Sequence, residues 1–356
     1  MAGNKCLLSV VIPCCNEEEV IDETNKRFLD VLGNEEDFDL QIIYINDGSS
    51  DRTSELLNSF VEKDPRVAVV EFTRNFGHQT AITAGIDYAA GDMIAVTDAD
   101  LQDPPEIILK MIELWRDGFD VVYGVRRNRR ENISKRAAYA TFYIFLKWLS
   151  KIDIPLDSGD FCLIDRKVAD ALRALPEKNR FVRGLRAWVG LRQTSMPYDR
   201  HERAGGKSKY TLSKLFVLAF DGIINFSTKP LILLSVFGLL LSFGSLLSSV
   251  LVGIWRLLDV HVFGFSPSDV PGYASVVLLI LFFSGIQLLS LGIIGEYIGR
   301  IHEEIKRRPI YIVAHSAGFG EHGVGGESSG QGGAVGPTRG LDLSRYSHER
   351  SKFAKS

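Results

Sequence analysis

Met93-Ile94-Ala95-Val96-Thr97-Asp98-Ala99-Asp100-Leu101-Gln102-Asp103 runs from a short apolar strand directly into three carboxylates. Asp98 and Asp100 flank a single small residue at the strand's end. Two carboxylates so placed repel each other unless a cation lies between them, and hard oxygen ligands favour Mg2+ or Mn2+. The segment therefore reads as a strand whose carboxyl end carries chemistry.

The same pattern of short apolar run followed by helical periodicity recurs upstream. Leu8 to Ile12 precedes a helix from about Glu17, Gln41 to Ile45 one from Asp51, and Val67 to Glu71 one from Gly77; Val121 to Tyr123 continues the series. Strands of this length separated by helices predict an α/β fold with right-handed crossovers and a mostly parallel sheet, with ligands at the carboxyl ends of the strands. Polar clusters stand at those ends: Pro13-Cys14-Cys15-Asn16-Glu17-Glu18 after the first strand and Asn46-Asp47-Gly48-Ser49-Ser50-Asp51 after the second. Taken alone, the second cluster is equally well a turn with a helix N-cap.

The whole-chain figures of 356 residues, net charge −3 and 46% hydrophobic residues fit an ordinary soluble protein and conceal a division. Residues 1–211 have normal charge content and enough length for one complete core. Two uncharged apolar runs follow, at about 230–255 and 273–295, each long enough to span a bilayer of about 20 helical residues. Two buried core helices are the alternative, but those usually interleave charge or end within about 14 residues. Glycines at 238, 244 and 253, and at 285, 292, 295 and 299, leave room for close helix contact and hence for a homo-oligomer.

Lys207, Lys209, Lys214 and Lys229 precede the first run, and Arg300, Lys306, Arg307 and Arg308 follow the second, whereas 256–272 carries Arg256 as its fixed cation. The positive-inside bias then puts both chain ends in the cytoplasm. Residues 212–228 mix Leu212, Leu215, Phe216 and Phe220 with Lys214 and Asp221, the composition of a helix lying on the membrane surface. No secretory signal opens the chain. Cys6, Cys14, Cys15 and Cys162 lack metal-ligand spacing and read as reduced structural thiols. Residues 311–356 are expected to form a disordered Gly-rich tail.

Val10-Val11-Ile12-Pro13 with Asn16-Glu17, Asn46 to Asp51, Arg74-Asn75-Phe76-Gly77-His78 and Asp98 to Pro105 occur in that order ahead of the paired apolar runs. In these features, over about residues 6 to 310, the chain resembles a family 2 glycosyltransferase. The likeness is to the polyprenyl-phosphate glycosyltransferase branch that includes dolichol-phosphate mannose synthases and bacterial bactoprenol glucosyltransferases. The resemblance implies a glycosyltransferase A-type nucleotide-sugar-binding domain carried on a two-helix transmembrane hairpin of 229–310, in a bacterial inner membrane. Processive polysaccharide synthases share the head motifs but add a Gln-x-x-Arg-Trp segment and more spans. A non-catalytic membrane scaffold would be expected to lose the aspartates that this chain keeps.

Residue roles follow as what the resemblance implies. Pro13, Asn16 and Glu17 would line the base and ribose pocket, Asp47 would contact the base, and Arg74 would meet a phosphate or a neighbouring carboxylate. Asp98 would lie near the ribose or metal, with Asp100 and Gln102 holding Mg2+ or Mn2+ on the diphosphate of a sugar nucleotide. His78 is expected beside the substrate rather than as a ligand. Asp160, or Asp157, would act as base or orient the sugar or acceptor, and a capped loop before a strand from Phe161 to Ile164 is the bland alternative. A phosphate monoester with second pKa of about 6 is already mostly dianionic at neutral pH, so the nucleophile needs little deprotonation.

Arg180, Arg183, Arg200, Arg203, Lys207 and Lys209 would receive the acceptor phosphate, Arg offering paired donors and Lys a mobile charge. A juxtamembrane patch attracted to anionic lipid is the plainer reading of the last four. The expected partners are UDP-glucose and undecaprenyl phosphate, with GDP-mannose or UDP-linked aminosugars as alternative donors, and the membrane itself. A separate flippase and a downstream glycosyltransferase are expected to use the product, and no nucleic acid is expected.

Overall fold

A computed structural model describes residues 5–126, 158–178, 180–199, 231–232, 236–241, 243–244, 247, 254, 273–319 and 340–342. These fall into two units, one holding the strands and the helices up to residue 199, the other the long C-terminal helix.

Residues Cys6–Cys14 (β1), Phe38–Asn46 (β2), Val67–Phe72 (β3) and Met93–Val96 (β4) form the parallel heart of the first unit, with β1 between β2 and β4. Leu8, Val10, Val11 and Ile12 are all fully buried, as are Ile42, Ile43, Tyr44 and Ile45. Continuous burial means that both faces are covered, which is why these strands read as apolar runs rather than as alternation. The covering comes from helices Ile21–Leu32 (α1), Thr53–Lys63 (α2), His78–Tyr88 (α3) and Glu106–Arg116 (α4). On α1 the buried set Ile21, Thr24, Asn25, Phe28 and Leu32 recurs at helical spacing along one face.

The sheet then departs from a purely parallel plan. Val121–Arg126 (β5) and Ser158–Asp165 (β6) pair antiparallel, and β6 also pairs antiparallel with β4. Helices Arg166–Ala174 (α5) and Val182–Val189 (α6) lead to Gln193–Tyr198 (β7), parallel to β5. Helices α1, α2 and α3 begin four, two and one residues later than their sequence signals, the loops before them being engaged in the contacts described below. β6 begins at Ser158, three residues before the expected strand start at Phe161, so Asp160 is held by a strand rather than by a capped loop.

Tyr311–Ala317 (β8) pairs antiparallel with β3, and Gly340–Asp342 (β9) pairs parallel with β8. Among the described residues the sheet thus has nine strands, in the order β7-β5-β6-β4-β1-β2-β3-β8-β9. The expectation of a disordered tail from residue 311 is corrected here for 311–317 and 340–342. The reason is alternation: Tyr311 and Val313 are fully buried, and the Tyr311 ring stacks on Phe72 at 5.1 Å.

The second unit contains Tyr273–Ile305 (α7), a helix of 33 residues. Its stretch Phe282–Ile305 has mean hydropathy 1.3 and exposes its apolar side chains, the composition of a segment that meets lipid. The described positions between 231 and 254 are helical, but the rest of that run, the connection 256–272 and the interface segment 212–228 lie outside the described residues. One membrane-compatible helix is therefore described, and a two-helix hairpin is not.

Candidate active site

The carboxyl ends of β1, β2, β3 and β4 share one edge of the sheet, and their loops are bonded to one another. Asn16 adopts a left-handed backbone (φ 56°), a conformation Asn tolerates better than most residues. Its Oδ1 accepts from the Ser50 backbone N–H at 2.8 Å, and its own N–H donates to Ser49 Oγ at 3.0 Å. The Glu17 N–H donates to Thr53 Oγ1. Pro13 pairs in register with Ile45 at the end of β1. The loop after β1 is thus clamped to the loop after β2.

Asp47 is buried and accepts from two consecutive backbone groups, Phe76 N–H at 2.6 Å and Gly77 N–H at 2.9 Å. Burial raises its pKa, and these two bonds and the nearby His78 and Arg74 only partly offset that rise. Asn75 Nδ2 donates to the Asp47 carbonyl at 3.2 Å, so the Arg74 to His78 segment is fixed to the Asp47 loop from both sides. Arg74 Nη1 donates to the Asn75 carbonyl, and its guanidinium lies 4.0 Å from the Phe76 ring centroid. Asp51 Oδ1 accepts from Thr53 N–H, the local bond of the turn reading, while Asp51 Oδ2 accepts from Glu18 N–H. Asp51 therefore closes its own turn and ties it to the loop after β1.

Asp98 lies at the end of β4, beside His78 at the start of α3. His78 Nε2 is 3.5 Å from Asp98 Oδ1 and 3.4 Å from Asp160 Oδ2. About 35% of the Asp98 side chain reaches solvent, yet its surroundings push its pKa up to about 6. The causes are desolvation first, opposed by His78, and then the charges of Asp160, Asp103 and Asp100. Asp100 is buried, and its Oδ1 accepts from the Gln102 backbone N–H at 3.2 Å.

Asp160 is the hub. Its Oδ1 accepts from Arg183 Nε at 2.7 Å and its Oδ2 from Arg183 Nη2 at 3.0 Å, a two-bonded fork. Gln79 Nε2 donates to Asp160 Oδ2 at 3.1 Å, and Gln79 Oε1 accepts from Val182 N–H at 2.9 Å. Burial alone would raise the Asp160 pKa, but Arg183 and His78 outweigh it and hold the carboxyl far below the usual range. A carboxylate so acidic is a poor proton acceptor and a good positioning anion. For His78, burial lowers the pKa while Asp160 and Asp98 raise it, and the balance is upward.

Of the residues singled out in the sequence, Pro13, Asn16, Glu17, Asp47, Arg74, Asp98, Asp100 and Gln102 come to the loops of one edge, and Asp160 and Arg183 join them through His78. Arg180 is buried, and its Nη2 donates to the Leu172 and Leu175 carbonyls. Asp157, Arg200, Arg203, Lys207 and Lys209 lie outside the described residues. Sequence reasoning passed over Gln79, which looks like any polar residue in the first turn of a helix. Its only signal was adjacency to His78.

Among the described residues no group of three His, Cys, Asp or Glu side chains forms a complete metal cage. The donors present still suit a hard divalent ion: two carboxylates and an amide within five residues, with carboxylate charge that crowds Asp98. Mg2+ in particular takes one or two carboxylates and fills its shell with water and substrate phosphates.

Residues 9–173 match the family described as Glycosyl transferase family 2. An uncharacterised glycosyltransferase of Bacillus subtilis, YkcC, is 50% identical over 312 residues, 87% of this chain and 94% of that protein. The SfII prophage-derived bactoprenol glucosyl transferase of Shigella flexneri is 40% identical over 313 residues, 87% of this chain and 98% of its own length. Among solved structures, the mannosyltransferase PcManGT of Pyrobaculum calidifontis shares 16% identity at a TM-score of 0.42, over 58% of this chain and 59% of that one, too distant to transfer a residue role. With its strand-end loops assembled on an α/β sheet, and with relatives this similar along most of its length, the chain belongs to glycosyl transferase family 2.

Proposed function

We propose that this protein transfers a hexose from a nucleotide sugar to polyprenyl phosphate at a membrane surface, with UDP-glucose and undecaprenyl phosphate as the favoured pair. The observation that carries the reading is the likeness to bactoprenol glucosyl transferases along nearly their whole length. GDP-mannose or a UDP-linked aminosugar is the alternative donor.

The chemistry needs little from the protein in proton transfer. An oxygen of the lipid phosphate attacks the anomeric carbon, the bond from that carbon to the nucleoside diphosphate breaks, and the bonding pair leaves with the diphosphate. The dianionic phosphate becomes a monoanionic diester and the leaving diphosphate gains one negative charge, so charge balances without a base. Asp160 accordingly serves as an anchor: it sets Arg183 on one side and His78 on the other, and Arg183 keeps a cationic face for an anionic acceptor. Asp98, Asp100 and Gln102 would hold Mg2+ or Mn2+, which when bound neutralises charge gathering on the departing diphosphate. The loops around Asn16 and Asp47 orient the nucleoside.

Membrane attachment is supported by a parity argument. β1 to β7 and β8 belong to one sheet and so lie on one side of any bilayer, which requires an even number of crossings between residues 199 and 311. α7 supplies one crossing, and the apolar run at 230–255 is the natural second. With the basic flanks, this favours a cytoplasmic head and cytoplasmic termini.

The test is transfer of label from a panel of radiolabelled UDP- and GDP-sugars to undecaprenyl phosphate, extracted into organic solvent, with Asp100→Ala alongside. Label from one donor that disappears in the variant is the expected result. No transfer from any donor by a protein that binds nucleotide would sink the reading and favour a scaffold.

A further inference from the structure

Helix α6 carries two arginines, and only one of them has a counter-ion. Arg183 is forked to Asp160, whereas Arg186 is 2% exposed and, among the described residues, has no carboxylate within ion-pair distance. Its guanidinium lies 5.3 Å from the Tyr123 ring centroid and donates to the Cys162 sulfur. Burial raises the Cys162 pKa and the Arg186 charge only partly offsets that rise, so the sulfur stays a neutral thiol and brings no negative charge. A buried charge without a partner is costly, and a protein that keeps one has a use for it.

The position of Arg186 indicates the use. Cys162 follows Asp160 by two residues on β6, so both side chains stand on one face of the strand. Arg183 and Arg186 are three apart on α6 and share a helix face. The helix therefore lays two guanidinium groups side by side along β6, Arg183 on Asp160 and Arg186 on Cys162. Gln193 fixes the end of this helix, its Nε2 donating to the Arg186 carbonyl at 3.1 Å and to the Gly190 carbonyl at 2.6 Å.

Asp160 offsets the charge of Arg183, so the surplus of the Asp160, Arg183 and Arg186 group is the Arg186 charge. We infer that Arg186 is a positioning residue whose counter-charge is the phosphate monoester of the acceptor: the dianion settles at Arg183, and the buried cation one helical turn behind holds it there without touching it. Burial leaves that attraction little screened by salt. The inference rests on the proposed function for the identity of the phosphate.

Arg186→Met tests this in the full-length membrane protein by refilling the slot with an apolar stem. The thermal midpoint is expected at or above the wild-type value, because the change removes an uncompensated buried charge rather than creating one. KM for undecaprenyl phosphate is expected to rise about tenfold, the order of one unit charge acting through a partly buried medium, while the nucleotide-sugar KM stays at its wild-type value. Arg186→Lys keeps the charge and should bring the acceptor KM back to within about threefold of wild type. A lowered midpoint in Arg186→Met would make the residue structural and overturn the inference, as would an unchanged acceptor KM or a failure of Arg186→Lys to restore it. A change confined to the nucleotide-sugar KM would assign the charge to the leaving diphosphate and overturn it as well. Should wild type transfer to no polyprenyl phosphate, the proposed function fails separately, and melts with inorganic phosphate decide the inference. A rise in midpoint in wild type and Arg186→Lys that is absent in Arg186→Met supports it; equal rises, or none, overturn it.

Discussion

Arg183 grips Asp160 with both arms of its guanidinium, Nε to Oδ1 at 2.7 Å and Nη2 to Oδ2 at 3.0 Å. The same carboxylate meets His78 and Gln79, residues that open α3 after the Arg74 to His78 segment. A strand, two helices and the carboxylate end of β4 thus converge on one buried anion. The arrangement explains how an arginine from a separate helix is held beside the strand-end loops, where it would meet an anionic acceptor, and why the carboxylate there is kept ionised.

Asp160→Asn keeps the shape and removes the charge. Transfer is expected to fall about 100-fold, because Arg183 loses the fork that aims it. Losing one partner of a buried ion pair costs about 3–5 kcal/mol, and solvent access to Arg183, whose side chain is 30% exposed, brings the expected destabilisation to roughly 2 kcal/mol. Arg183→Lys retains charge without the fork and should raise the acceptor KM while leaving the nucleotide-sugar KM alone. Steady-state kinetics with thermal unfolding check both; a fully active Asp160→Asn would remove Asp160 from the site.

Asp98 gives a pH dependence of a different sign from Asp160. Its folded pKa of about 6 exceeds the ordinary carboxylate value, so the folded chain binds more protons than the unfolded one between roughly pH 4 and 6. Its contribution to stability therefore declines as pH rises through that window. Asp160 is depressed, so its contribution is present above the ordinary carboxylate range and is lost only in strong acid. In metal-free protein, Asp98→Asn should raise the unfolding midpoint at pH 7.5 and lose that advantage near pH 4.5. Metal-dependent nucleotide binding should weaken below about pH 6 as Asp98 takes up a proton. Calorimetric melts and nucleotide titrations across pH would show otherwise if Asp98 titrated normally.

Much of this site was legible because strand ends are marked twice, by an apolar run and by the polar residues that follow it. Asp47 and Asp98 announce themselves in that way. What remained hidden depends on partners distant in sequence: Gln79 reaches Asp160 across 81 positions, and Tyr198 reaches Asp103 across 95. A lone Gln on a helix and a Tyr closing a strand carry no local pattern. β8 was hidden for a related reason, since its two buried positions precede a Gly-rich stretch whose composition dominates any window.

Tyr311→Phe probes that late strand. The Tyr311 hydroxyl donates to buried Asp87 Oδ2 at 3.1 Å, joining β8 to α3. Removing it deprives a buried carboxylate of a donor, a loss of about 1–3 kcal/mol. Because α3 begins with His78, the expected signature is a lowered unfolding midpoint together with a modest loss of activity. Truncation after residue 310 would go further and bare the edge of β3; a truncated protein as stable as the whole chain would deny β8 its place in the sheet.

Gly48→Ala should damage nucleotide binding more than stability. Gly48 has φ +63°, and an added Cβ would lie 2.4 Å from the Arg74 carbonyl carbon and 2.6 Å from the Asn75 nitrogen. Both atoms are backbone, so neither can swing aside as a side chain would. The strain of about 1–2 kcal/mol in the left-handed region would combine with a forced parting of the two loops. Those loops are held together by the Asp47 bonds to Phe76 and Gly77, which under the proposed function would lie against the nucleoside. The nucleotide-sugar KM should rise at least tenfold, with the acceptor KM unchanged. Titration with UDP and Mn2+ measures it directly, and wild-type affinity in Gly48→Ala would place the nucleoside elsewhere.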